Sequence, residues 1–180
     1  LFDLTEAQNS CIRMLESGPA AGVTAAKALC DNIGLGSAIA FDMGGTTAKA
    51  GVIHRGQVLM TGSSMIGGYA TGLPVQIPMI DIQEVGTGGG SIARVDAAGA
   101  LHVGPESAGA APGPVCYGLG GREPTVTDAN LVLGRLAADR FLGGEMRLEP
   151  DQARSALIDK VAKPLGIDAT AAADGIVRIA

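Results

Sequence analysis

The stretch Ser37-Ala38-Ile39-Ala40-Phe41-Asp42-Met43-Gly44-Gly45-Thr46-Thr47-Ala48-Lys49-Ala50-Gly51-Val52-Ile53 decides how this chain folds. Ser37 to Phe41 is short, apolar and bounded by Gly36 and Gly44, which predicts a strand buried on both faces. Asp42 falls where that strand leaves the core. Gly44 and Gly45 permit positive φ and carry no Cβ to hold a phosphate away from backbone N–H groups. Thr46 and Thr47 add hydroxyls, and Lys49 adds a cation. Ala50 to Ile53 resumes the apolar pattern, His54-Arg55-Gly56-Gln57 reads as a turn, and Val58-Leu59-Met60 as a further strand. The local unit is therefore an antiparallel meander with a glycine turn. It lacks the GxxxxGK[ST] pattern of the strand-loop-helix phosphate loop. An ordinary glycine hairpin carries the same local signature, so Asp42 to Lys49 leaves both readings open.

Upstream, Ala20 to Asn32 predicts a helix, with Ser17 as N-cap, Pro19 in the first turn and Gly34 at its end. Ser17-Gly18-Pro19 also has the composition of an anion site at a helix N-terminus. Downstream, Val75 to Ile82 mixes β-branched residues with two prolines and predicts an edge strand or extended segment. Asp81 and Glu84 then precede Gly86-Thr87-Gly88-Gly89-Gly90-Ser91. Such a run lets backbone pass close to a ligand, and the two carboxylates suit water-mediated Mg²⁺ binding or orientation of a water nucleophile. A flexible connector with solvated acids is the plainer alternative. Asp96-Ala97-Ala98-Gly99 is a hairpin turn between two strands.

Gly104 to Pro114 reads as a long Gly/Pro loop, and Thr127 as the N-cap of a helix reaching about Ala137, with Asp128 in its first turn. Asp128 and Asn130 have capping and ligand contact as alternatives. Pro150 opens another helix with Ala153, Ala156, Leu157 and Val161 at helical spacing, and Asp168 begins a last apolar segment.

Composition limits the function classes. The chain has 180 residues, 47% hydrophobic and only 3% aromatic, so its core is built from Ala, Val, Ile, Leu and Met. Its 28 glycines cluster at Gly67 to Gly72, Gly86 to Gly90 and Gly104 to Gly121, which suggests shaped loops around a site. A net charge of −5 offers no basic stripe for nucleic acid. The uncharged stretch Gly56 to Ile80 is broken by Gly, Pro74 and Pro78, so no membrane span is expected, and a cytoplasmic location is. Cys11, Cys30 and Cys116 lack CxxC spacing and read as reduced structural thiols. His54 and His102 stand apart in sequence and read as solvent-exposed.

Ser17 to Gly22, Phe41 to Thr46, Glu84 to Ala93 and Gly104 to Arg135, in that order, resemble the hydantoinase A and 5-oxoprolinase family across nearly the whole chain. The resemblance implies an α/β, actin-like ATPase (ribonuclease H-like) fold, a mixed sheet with an antiparallel meander and flanking helices. Residues 1–180 would be a single partial domain: a leading segment and Ala-rich helix at 1–36, a strand-rich core at 37–103, and a Gly/Pro loop with helices at 104–180. The other half of the nucleotide cleft would lie outside it, leaving this piece inactive alone. Many relatives have Ser-Thr-Asp after Gly-Gly-Thr, where this chain has Thr47-Ala48-Lys49, which favours phosphate contact or an outward lysine at 49.

For chemistry, the resemblance implies ATP-dependent opening of a cyclic amide of hydantoin or 5-oxoproline type by phosphorylation of its carbonyl oxygen, followed by hydrolysis. Positioning and charge neutralisation carry such phosphoryl transfer. The expected roles are Asp42 and Glu84 as catalytic groups, Asp42 and Asp81 toward Mg²⁺, and Gly44, Gly45, Thr46, Thr47, Lys49, Gly88, Gly89, Gly90 and Ser91 toward ATP. A hydantoinase B-type subunit or domain is the expected partner, and a small cyclic amide the substrate. Two alternatives stand beside this: the ATP-binding subunit of an acetone/acetophenone-type carboxylase, and a non-catalytic actin-like switch or assembly protein.

Overall fold

The computed structural model describes residues 3–66 and 72–180, so most of the glycine cluster at 67–72 lies outside the described residues. The chain divides into two compact units, Leu1–Asp42 with Lys49–Glu84, and Met43–Ala48 with Val85–Ala180. The glycine turn thus groups with residues far downstream.

In the first unit, the Asp3 carboxylate caps α1 (Leu4–Asn9) by accepting the Glu6 amide. A longer helix, α2 (Ser17–Ile33), ends at Gly34, whose φ of 75° is the left-handed conformation that glycine adopts without a Cβ penalty. Ser17 is the first helical residue and not the cap. Glu16 holds the N-cap position in a left-handed conformation with no side-chain cap bond.

Helix α2 packs on a sheet ordered β1 (Ala38–Met43), β2 (Ala48–His54) and β3 (Gln57–Val58). Strands β2 and β3 form the expected antiparallel hairpin, with His54 opposite Gln57 and exposed. The chain continues through two short antiparallel pairs. They are β4 (Met60–Thr61) with β7 (Met79–Ile80), and β5 (Ser64–Ile66) with β6 (Leu73–Val75). A further strand, β8 (Ile82–Val85), pairs with β2.

Gly51 explains how closely α2 approaches, because a Cβ there would overlap the Val23 side chain. The core of this unit is Val23, Cys30 and Ile53, with Ala26, Ala38, Ala40 and Ile82 against it. Burial of β1 on both faces is not observed. Ala38 and Ala40 face the α2 side, whereas Ile39 and Phe41 on the alternate face are 70% and 66% exposed. Side chains alternate along a strand, and the described residues cover only one face.

In the second unit, β9 (Ser91–Val95) and β10 (Leu101–Ser107) form an antiparallel hairpin. Its turn is held by Asp96, whose Oδ1 accepts the amides of Ala98 and Ala100, both at 2.9 Å. Strand β10 runs through Gly104 to Ser107 where the sequence predicts loop. The register shifts between Val103 and Ser107, and Gly104 takes φ +67°, so an irregular strand absorbs the Gly-Pro pair.

Helix α3 (Val126–Val132) also begins earlier and ends earlier than the sequence predicts. Its N-cap is Thr125, in a reciprocal capping box with Asp128, and Gly134 at φ +72° lies just past its end. Helices α4 (Pro150–Leu157), α5 (Lys163–Leu165) and α6 (Ala169–Ile179) follow, the first two joined by a wide turn over Ile158–Ala162. Asp168 caps α6 by accepting the Thr170 and Ala171 amides. Of the periodic residues, Ala153, Leu157 and Val161 are fully buried and Ala156 is partly buried. The main core joins Ala93 to Val126, Ala129, Leu157, Val161, Ala172, Ala173 and Ile176. Its large aliphatic side chains contribute about 1.5–3 kcal/mol each by burial, and the alanines let the helices sit close together.

Candidate phosphate-binding turn

The turn between β1 and β2 is closed by the Gly44 amide, which donates to the Thr47 carbonyl at 3.0 Å. Neither Gly44 nor Gly45 takes a positive φ, so the conformational reason expected for these glycines does not hold. Nor does packing demand glycine at 45, where a Cβ would meet nothing within 4 Å. Gly45 and Thr46 form the exposed tip, and their amides make no hydrogen bond among the described residues. Two unengaged N–H groups at an exposed tip are donors open to an external acceptor.

The glycine run supports this turn from the other side. Gly89 donates its amide to Gly44 O at 2.9 Å, and Gly90 donates to Gly45 O at 2.7 Å. At Gly88 a Cβ would stand 2.6 Å from Thr46 N and 2.7 Å from Gly45 C, and at Gly90 it would stand 2.8 Å from Gly45 O. These glycines are therefore required by backbone-to-backbone contact with the turn. Ser91 is fully buried, and its hydroxyl accepts the Gly88 amide at 2.9 Å. The Ser107 hydroxyl donates to Gly45 O at 3.4 Å and accepts from Gly109 N.

Helix α3 anchors the run in turn. Thr127 donates both its amide and its hydroxyl to Gly89 O, each at 2.8 Å. The capping carboxylate of Asp128 is completely buried and accepts four donors: Val115 N, Cys116 N, Thr125 N and Thr125 Oγ1, at 2.7–3.2 Å. Capping, not ligand contact, is thus its role here. Burial pushes the Cys116 thiol well above its usual range, with the neighbouring Asp128 charge adding to the effect. The thiolate is correspondingly disfavoured, in keeping with a structural cysteine. Burial also raises Tyr117.

The sequence-predicted residues thus separate into groups. Gly44, Gly45 and Thr46 meet Gly88, Gly89 and Gly90 in one assembly, with Thr47 closing the turn. In the first unit, Lys49 Nζ pairs with Glu84 Oε1 at 3.0 Å, and Asp81 Oδ1 accepts Gln83 Nε2 at 2.9 Å. Asp42 is exposed at the end of β1 and, with Lys49, lines a cavity of about 220 Å³ against Pro19, Val23 and Ile82. Among the described residues no group of three or more His, Cys, Asp or Glu is placed to hold a metal ion. His102 is exposed and sits 2.7 Å from Asp96, and of the three free cysteines only Cys11 is exposed.

Thr127 and Ser107 support the turn, and the sequence pattern does not mark them for that role. The Thr125-x-x-Asp128 spacing is a capping-box signal that would have placed the helix start correctly. No local pattern announces that Thr127 then reaches a glycine 38 residues earlier.

The chain is a mixed α/β architecture in which an exposed glycine turn is backed by a second glycine run. The sequence model of the hydantoinase/oxoprolinase family matches residues 1–180, and the chain belongs to that family. It is 45% identical over 168 residues to the caprolactamase subunit alpha of Pseudomonas jessenii, covering 93% of this chain and 24% of that protein. The crystal structure of the ATP-dependent caprolactamase from that organism superposes with TM-score 0.75 at 44% identity, over 91% of this chain and 23% of that one. A nucleotide-free acetone carboxylase structure superposes with TM-score 0.78 at 32% identity, over 91% and 22% of the two chains. The chain thus spans about a quarter of the length of these relatives. No helix among the described residues is long and apolar enough to cross a membrane.

Proposed function

We propose that this chain is the phosphate-binding part of an actin-like ATPase module in an enzyme that opens a cyclic amide at the expense of ATP. The observation that carries the reading is the tip at Gly45 and Thr46, where two amides are unengaged and a missing side chain is not explained by the chain's own packing. Similarity to an ATP-dependent caprolactamase supports the substrate class.

In this reading the Gly45 and Thr46 amides and the Thr46 and Thr47 hydroxyls receive phosphate oxygens, while Gly88 to Ser91 hold the turn in shape. The chemistry ATP supplies is phosphorylation of the amide carbonyl oxygen, which turns a poor electrophile into one that water opens. The protein's part is to position the groups and stabilise charge. Asp42, exposed at its strand end, fits a water-mediated contact to Mg²⁺, an ion that keeps several waters and needs few protein carboxylates. Lys49 neutralises Glu84 in the resting arrangement, so Glu84 becomes available as a base only when that pair opens. Asp81 is the secondary metal carboxylate. A hydantoinase B-type subunit completes the enzyme, in line with the naming of the caprolactamase relative as a subunit.

Phosphate release by the full-length protein and its partner, assayed with caprolactam, 5-oxoproline and hydantoin with and without bicarbonate, tests the proposal. Stimulation by a cyclic amide without bicarbonate is expected, and Asp42→Ala is expected to abolish it. Unchanged turnover in Asp42→Ala would remove Asp42 from the mechanism. A carboxylase reading draws on the acetone carboxylase superposition, and stimulation only by a ketone with bicarbonate would establish it instead.

A further inference from the structure

We infer that Thr127 is a positioning residue for nucleotide binding, acting through Gly89 on the phosphate-binding turn. The inference rests on the proposed ATP function and extends it to a helix that reaches the turn through the glycine run. Gly89 is held on two sides. Its carbonyl accepts both the amide and the hydroxyl of Thr127, and its own amide donates to Gly44 O. A Cβ on Gly89 would stand 2.8 Å from Thr127 Oγ1, so the two residues are in close contact as well as hydrogen-bonded.

Thr127 in turn has little freedom. It lies in the first turn of α3, which is locked by the capping box of Thr125 and the buried Asp128. The path from the buried carboxylate to the turn is thus a continuous series of short contacts: Asp128 to Thr125, α3 to Thr127, Thr127 to Gly89, and Gly89 to Gly44. Removing the Thr127 hydroxyl leaves its amide bond to Gly89 in place but lets the glycine run move against the turn. The Gly45 and Thr46 amides would then no longer be held in one geometry, which lowers affinity for phosphate through lost preorganisation.

Thr127→Val and Thr127→Ser in the full-length protein with its partner test this. In Thr127→Val, KM for MgATP is expected to rise about tenfold with a smaller change in kcat, the scale of one hydrogen bond. Thr127→Ser, which keeps the hydroxyl, is expected to restore KM to within about twofold of the parent. Amide hydrogen exchange at Gly89 and Gly90 is expected to accelerate in Thr127→Val while exchange in α6 stays unchanged. If Thr127→Val does not fold, Thr127→Ala carries the same comparison against Thr127→Ser. A folded hydroxyl-less variant with parental KM and parental exchange at Gly89 overturns the inference. A parent protein that does not bind MgATP overturns the ATP reading itself, and exchange at Gly89 then still reports whether Thr127 holds the glycine run.

Discussion

The amide of Gly89 donates to the carbonyl of Gly44 at 2.9 Å, joining two glycine segments 45 residues apart into one support. Gly44 precedes the exposed tip, so Gly89 braces the backbone that leads into it. Four measurements follow from this arrangement and its surroundings.

Glycines of the two segments should respond differently to alanine. At Gly88 the new methyl group meets Thr46 N at 2.6 Å, which backbone can relieve only by moving the turn. Gly88→Ala should therefore destabilise by about 1–3 kcal/mol in urea unfolding, as overpacking does. At Gly45 a methyl group meets nothing within 4 Å, so Gly45→Ala should keep the parental melting temperature and yet weaken MgATP binding. Parental ATP affinity in Gly45→Ala would argue against phosphate contact at the tip.

Asp128 should be far less replaceable than its surface relatives. Asp128→Ala strands the amides of Val115, Cys116 and Thr125 in a site with no exposure. The loss should be about 3 kcal/mol or more, read from chemical denaturation, since buried donors without partners keep their full desolvation penalty. Asp128→Asn retains an acceptor and should lose less.

Asp96 provides a pH test. Its carboxyl lies below the usual carboxylate value, first because it accepts the Ala100 amide and next because of His102. A folded-state pKa below the unfolded one means that the unfolded chain binds more protons, so this group's stabilisation is present above the unfolded value and is lost as pH falls through the folded one. Melting temperature followed downward from about pH 5 should therefore drop less steeply in Asp96→Asn than in the parent, with the two curves converging in acid.

Thiol labelling should separate the cysteines. Cys11 is exposed, whereas Cys30 and Cys116 are buried and the Cys116 thiol is held protonated. Alkylation of native protein followed by peptide mapping should modify Cys11 first, with Cys30 and Cys116 reacting only after unfolding. Early modification of Cys116 would show that the packing around Asp128 opens readily.

Much of the framework was legible in local sequence because it follows from local forces. The β2–β3 hairpin, the Asp96 turn, the Gly34 helix stop and the start of the last segment at Asp168 each follow from a side chain or φ angle within a few residues. Helix α3 stops short of Ala137 because Gly134, at positive φ, is a local stop signal just past Val132. The two-sided burial expected for β1 failed for a different reason. Ser37 to Phe41 is apolar on both faces, and apolarity alone does not say whether described chain covers each face.

By itself the sequence determined that Asp42 to Lys49 is a glycine turn between strands, and through its ordered motifs it determined the family. Only the tertiary structure decided which glycines serve the turn's shape and which leave its tip open. Gly88 and Gly90 lack side chains because backbone from residues 45 and 46 occupies that space, while Gly45 has open space beside it. A glycine looks the same in a sequence whether its missing Cβ admits neighbouring backbone or leaves open space, and only the atoms around it distinguish the two.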